Sequence, residues 1–175
     1  MSDLRCLTVR QPWAWAIVHG GKDVENRTRN IAGAYRGPVA IHAGLAKFEQ
    51  HNMASRALRA AHGTEVDVRV LYGCVVGVVE LVDVHDEDEC LDREIRRLDR
   101  MRRATPEEFA ALPDNGAGGL IGRIHPCSPW SIPDEFHLVL ANPRPLARPI
   151  PTKGRLGLWR PDEALATAIR EQVAL

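Results

Sequence analysis

The chain has 175 residues, 45% of them apolar and 26% charged, with a formal net charge of zero. That is the length of one ordinary domain with enough apolar residues for a core; it excludes a disordered chain and a protein that coats duplex nucleic acid by bulk attraction. No apolar run reaches the roughly eighteen residues of a membrane helix, and the opening MSDLRCLTVRQPWAW lacks the basic start, apolar stretch and cleavage site of a signal peptide, so a cytoplasmic protein is expected.

Residues 4–9, LRCLTV, read as a strand. Gln11-Pro12 opens a short helix with Trp13, Ala16 and Ile17 on its apolar face, and Gly20-Gly21 ends it. Residues 38–42 form a second strand after the turn-like Tyr35-Arg36-Gly37. Residues 45–61 are alanine-rich and read as a helix. The β-branched run 71–84, LYGCVVGVVELVDV, is a central strand, with Gly73 and Gly77 marking a bend or bulge.

Residues 86–103 place acids first and arginines last, as a helix macrodipole favours, with Leu91, Ile95 and Leu98 on one stripe. The capping box Thr105-Pro106-Glu107-Glu108 starts another short helix. Residues 119–124 and 136–141 are strands. Pro143, Pro145, Pro149 and Pro151 stiffen the next segment, and Pro161-Asp162-Glu163 starts a terminal helix. Short bent strands interspersed with helices, without regular βαβ alternation, fit a small curled sheet or barrel with helices outside it. No linker divides the chain, so residues 1–175 are one domain.

The charge is uneven. Residues 1–40 carry six basic against three acidic residues, and residues 136–160 carry Arg144, Arg148, Lys153, Arg155 and Arg160 with no acid. A neutral total can therefore hide a positive face. Cys6, Cys74, Cys90 and Cys127 form no C-x-x-C pair and match no zinc spacing, so reduced, buried thiols and no metal or cofactor are expected.

The densest polar segment is Gly20-Gly21-Lys22-Asp23-Val24-Glu25-Asn26-Arg27. In extended conformation Glu25 and Arg27 point the same way. Such a group can neutralise a phosphate, orient a carbonyl or tune a lysine, although exposed ion pairs of this kind are common and nearly neutral energetically. Two further clusters accompany it: Arg10-Gln11-Pro12-Trp13-Ala14-Trp15, and Tyr35-Arg36-Gly37-Pro38 leading to His42. Trp13 and His42 also fit the core, where such residues commonly sit.

Gly20-x-Lys22-x-x-Glu25-x-Arg27 is the G-x-K-x-x-E-x-R pattern of the ASCH domain, which this chain resembles. Leu7–Ala14, Tyr35-Arg36-Gly37-Pro38, Ser128-Pro129-Trp130, Phe136-His137, Asn142-Pro143-Arg144-Pro145 and Pro151-x-Lys153-Gly154-x-x-Gly157-Leu158-Trp159 extend the resemblance along most of the chain. Residues 86–112 fall outside it and read as a helical insertion. The resemblance implies an α+β, PUA-like fold, a small mixed β-barrel with flanking helices. It also implies a cleft around the motif and a role in RNA binding or RNA-linked regulation.

Some relatives in that family are similar to nucleases or to amidohydrolases that deacylate N4-acylated cytidine through a lysine, a threonine and a glutamate. Lys22 matches the lysine, but Glu25 stands where the threonine would be. Glu80, inside the central strand, is a second acid that must reach an edge or find a partner; it fits either a general acid/base role or an ion pair with Arg10 or Lys22.

Three functions are compatible with these residues. The first is binding of single-stranded RNA or DNA, or of a nucleoside, by Arg10, Gln11, Trp15, Lys22, Glu25, Arg27, Tyr35, Arg36, Arg144 and Lys153, with RNA favoured. The second is hydrolysis of RNA or a modified nucleoside by Lys22, Glu25 and Glu80. The third is a protein-interaction adaptor that docks a partner through residues 86–103. No membrane partner is expected.

Overall fold

The computed structural model of the chain describes residues 3–47, 71–103, 105, 107 and 127–173. Its strands are β1 (Arg5–Gln11), β2 (Val24–Arg27), β3 (Gly37–Lys47), β4 (Cys74–His85), β5 (Phe136–Pro151) and β6 (Leu158–Trp159). The described helices are α1 (Trp13–His19), α2 (Glu87–Arg103) and α3 (Glu163–Arg170).

The strands form one mixed sheet in the order β2-β5-β4-β3-β1-β6. Among the described strands only the β1–β3 pair is parallel. The sheet curls into a half-barrel rather than a closed barrel, and with its helices it gives the expected α+β class.

Alternation along the strands sorts the core onto the two faces. Leu7 and Val9 of β1 and Val39 and Ile41 of β3 join Ala14, Ile17 and Val18 of α1. Leu4, Cys6 and Ala40 join Trp159 and, from α3, Leu165, Ala166 and Ile169. Asp162 caps α3, its carboxylate accepting from Leu165 N at 2.8 Å.

The central strand breaks this alternation at Gly77, as the expected bulge requires. Cys74 and Val76 lie on the α1 face before it, and Val79 and Leu81 after it, while Val75 and Val78 lie on the α3 face. The one-residue slip coincides with a register shift between Val75 and Gly77 against β5. A Cβ at Gly77 would lie 2.7 Å from Val18 Cγ1 and 3.0 Å from the Arg144 carbonyl oxygen, so only glycine lets α1 and β5 approach the bend.

Two sequence expectations change. Residues 143–151 are strand rather than a mere stiff connector: β5 runs to Pro151. Among the described strands, the stretch of β5 beyond Leu140 pairs with β4 alone, and its prolines fall at or beside the register shifts of that ladder, where strands tolerate them. Residues 45–47, expected to begin a helix, end β3; the rest of that expected helix, the strand at 119–124, and the short helix after Thr105 apart from Glu107 lie outside the described residues.

The helix expected at 86–103 is present as α2. Its first turn is not peripheral. Cys90 is buried, and Arg93 Nη1 reaches Asp83 Oδ2 of β4 at 2.5 Å. No helix among the described residues is long and apolar enough to cross a membrane.

Candidate nucleic-acid interface

The motif segment begins where α1 stops. Gly20 N donates to Ala16 O at 2.8 Å and Lys22 N to the same oxygen at 3.0 Å. A Cβ at position 20 would sit 2.9 Å from Ala16 Cα and 3.0 Å from Trp15 Cζ3, and Gly21 takes the left-handed φ of +66°. Glycines at both positions therefore allow the chain to reverse directly into β2.

β2 then presents Glu25 between two cations. Its Oε2 lies 3.3 Å from Lys22 Nζ and its Oε1 3.1 Å from Arg27 Nη2. Lys22 is 5% exposed and Glu25 8%. The Lys22 ammonium also donates to Val24 O and lies 5.9 Å from the centroid of the Trp13 ring. Two cations share one carboxylate here, so the group keeps a surplus positive charge, and burial strengthens its field. The expected same-side pairing of Glu25 and Arg27 is present.

Arg27 connects this group to the far side of the curled sheet. Its Nη2 donates to Thr8 O of β1 at 2.9 Å. Thr8 Oγ1 in turn donates to Arg155 O at 2.9 Å and accepts from Trp159 Nε1 at 3.3 Å. Gly154 packs so closely that an added Cβ would lie 2.9 Å from Thr8 Oγ1 and 2.5 Å from the His42 ring. His42 Nε2 lies 3.0 Å from Thr152 O, and burial lowers the His42 pKa below the usual 6.5, so this nitrogen donates from a neutral ring. The loop carrying Lys153 and Arg155 is thus seated on Thr8 and His42, beside Arg27. Arg10 follows Thr8 by two residues on the same strand face and is exposed, as are Lys153 and Arg155.

Asp23 and Asn26, at the unspecified positions of the motif, hold the strap 127–132. Ser128 Oγ donates to Asp23 Oδ1 at 2.5 Å. Asn26 Nδ2 donates to Trp130 O at 2.9 Å, and Ile132 N donates to Asn26 Oδ1 at 3.0 Å. Trp130 meets Trp13 edge-on, with ring centroids 6.2 Å apart. Sequence reasoning misses Asp23 and Asn26 as site residues, because their partners in Ser128-Pro129-Trp130 lie about a hundred residues away in sequence.

The other expected site residues lie elsewhere or are engaged. Gln11 is buried, donating through Nε2 to Leu71 O at 2.8 Å and accepting from Trp15 N at 3.1 Å, which gives it a structural role at the start of α1. Trp15 stacks at a tilt on His19. Tyr35 Oη lies 2.6 Å from Asp3 O and 2.7 Å from Pro38 O, and Arg5 sits over its ring. Burial, with the Asp3 carboxylate adding to it, pushes the Tyr35 phenol up to about 12. Arg36 bonds to Tyr35 O and lies 3.6 Å from Asp83. Glu80 pairs with Arg144 at 2.6 Å, a partner not among the two expected for it.

Residues 7–141 match the ASCH domain. The chain belongs to the ASCH domain family. Among solved structures, the ASCH protein of Zymomonas mobilis is similar at 16% identity, covering 98% of this chain and 96% of that one with a TM-score of 0.47. A mutant of the same protein is similar at 16% identity over 98% of this chain and 100% of that one, with a TM-score of 0.48.

Proposed function

We propose that this ASCH domain binds single-stranded nucleic acid, RNA in preference, in a cleft bordered by β2, Thr8 and the loop 152–157. The observation that carries the reading is the convergence of Arg27 and the Lys153–Arg155 loop on Thr8, with the two-cation Lys22–Glu25–Arg27 group behind it. Arg27 Nε is buried, so the guanidinium would act on a phosphate through its charge and its outer nitrogens. Partly buried Trp13 lies beside Lys22, with Trp130 edge-on to it, and the pair offers aromatic surface for a base.

Hydrolysis is the second reading, and the Lys22–Glu25 contact at 3.3 Å is what favours it, since a carboxylate there can exchange a proton with the ammonium. Against it, Lys22 is sealed from solvent and Glu80 is held by Arg144. Binding of a labelled single-stranded RNA, compared with a duplex of equal length and with an acylated cytidine followed for turnover, tests both. Tighter binding of the single strand without turnover supports the proposal; turnover of the nucleoside, lost in Lys22→Arg, overturns it.

A further inference from the structure

Four residues from four separate segments meet at the opposite end of β4 from its Gly73 turn. His85 ends β4, Cys90 lies in the first turn of α2, Cys127 heads the strap 127–132, and His137 is the second residue of β5. His85 and His137 are direct partners across the β4–β5 ladder. One donor atom from each residue lies within 4.8 Å of all the others. Cys90 Sγ is 2.9 Å from His85 Nε2 and 3.1 Å from His137 Nδ1, and Cys127 Sγ is 3.4 Å from His137 Nδ1.

The outer ring nitrogens settle what the inner ones present. His137 Nε2 lies 2.9 Å from the Ile132 carbonyl oxygen, an acceptor only, so that nitrogen carries the proton. His85 Nδ1 lies 3.0 Å from Asp83 Oδ2 and 3.2 Å from Arg93 Nη1, which can only donate; of the two, the closer carboxylate favours the Nδ1–H tautomer that a metal at Nε2 requires. Arg93 Nη1 also donates to that carboxylate at 2.5 Å. His85 Nε2 and His137 Nδ1 therefore turn lone pairs inward toward two sulfurs.

Two thiolates and two neutral imidazoles are a complete tetrahedral set for zinc. Bond lengths of about 2.0–2.3 Å place tetrahedral ligand atoms roughly 3.3–3.8 Å apart, so the four donors reach that arrangement by shifts of up to about 1 Å. Asp83 and the Ile132 carbonyl are the outer acceptors that orient zinc-binding imidazoles. Exposed acids do not make up this cluster: His85, Cys90 and His137 are buried, and Cys127 alone is open to solvent.

We propose that His85, Cys90, Cys127 and His137 form a structural zinc site. Four protein ligands leave no open position, so the ion is a fastening rather than a catalyst. It ties the first turn of α2 and the head of the 127–132 strap to β4 and β5. Because Ser128 and Trp130 of that strap bond Asp23 and Asn26, the ion also steadies the cover of the motif segment.

The test uses the full chain, purified under a phosphine reductant. Metal analysis is expected to give about one zinc per chain. After chelation, titration with Co²⁺ is expected to produce visible d–d bands of tetrahedral intensity and a thiolate-to-cobalt charge-transfer band that Zn²⁺ then erases. Cys127→Ser, at the exposed ligand, should leave the fold intact, halve the charge-transfer band and weaken retention of zinc against chelator. A parent chain that carries no zinc and gives only the weak spectrum of aqueous Co²⁺ overturns the proposal. So does a Cys127→Ser chain whose zinc content and cobalt spectrum equal the parent's.

Discussion

Arg27 Nη2 donates to the carbonyl oxygen of Thr8 at 2.9 Å, joining β2 to β1 although β5, β4 and β3 stand between them in the sheet. The bond is possible because curling brings the β2 side of the half-barrel back toward β1. The family motif thereby acquires a physical role. Gly20 turns the chain, Glu25 holds Lys22 and Arg27, and Arg27 reaches the strand on which the Lys153 loop rests.

Glu25 is the pivot of that group. Glu25→Gln removes the anion from a lysine that is 5% exposed and so leaves a buried charge unpaired. Breaking a buried pair in this way costs about 3–5 kcal/mol. Urea unfolding of the variant against the parent checks it; an unchanged midpoint would show that Lys22 has another counter-charge.

Lys22 separates charge from proton chemistry. Arginine keeps the charge but does not lose its proton. Lys22→Arg is expected to retain oligonucleotide affinity close to the parent's, whereas Lys22→Glu should weaken it by at least about tenfold, roughly 1.4 kcal/mol. Equal losses in both variants, in chains that circular dichroism shows to be folded, would contradict a role set by the sign of the charge.

Gly77 tests the bend on which the site is mounted. In Gly77→Ala the added methyl meets Val18 Cγ1 and the Arg144 carbonyl, and overpacking of this kind costs about 1–3 kcal/mol. Thermal denaturation should show the loss. A Tm equal to the parent's would mean that α1 can move away freely.

His42 predicts a pH dependence. Burial lowers its pKa below the ordinary 6.5, so between 6.5 and the lower folded value the unfolded chain binds more protons. Its contribution is complete above 6.5 and is lost as pH falls below it. Tm measured from about pH 7.5 down to about pH 5.5 should fall more in the parent than in His42→Gln. Identical slopes would rule out His42 as a source of the dependence.

Features carried by local chemistry were legible in the sequence. Gly20-Gly21 after an amphipathic turn, the β-branched run holding Gly77, and the period-two spacing of Glu25 and Arg27 are each read within a few residues. The hidden features depend on which strands become neighbours. The prolines of β5 look like strand breakers until that strand is seen to pair along its length with β4 through a ladder interrupted by register shifts. Gln11 looks like a ligand group until Leu71 is found beside it. Cys90 and Cys127 match no metal spacing because His85 and His137 face each other only across a β ladder, and neighbours so distant in sequence leave no local pattern.

The measurement that bears most directly on the proposed interface is the salt dependence of binding. Anisotropy of a short labelled RNA, titrated with the parent protein over a range of salt, should give a log–log slope of about −0.7 for each phosphate contacted. Arg10→Ala and Lys153→Ala, at two exposed positions beside Thr8 and its loop, should each flatten that slope by about one such contact. Arg144→Ala should do less, because Glu80 already neutralises it. Binding that ignores salt, or slopes unchanged in both Arg10→Ala and Lys153→Ala, would contradict a phosphate-contacting cleft at this site.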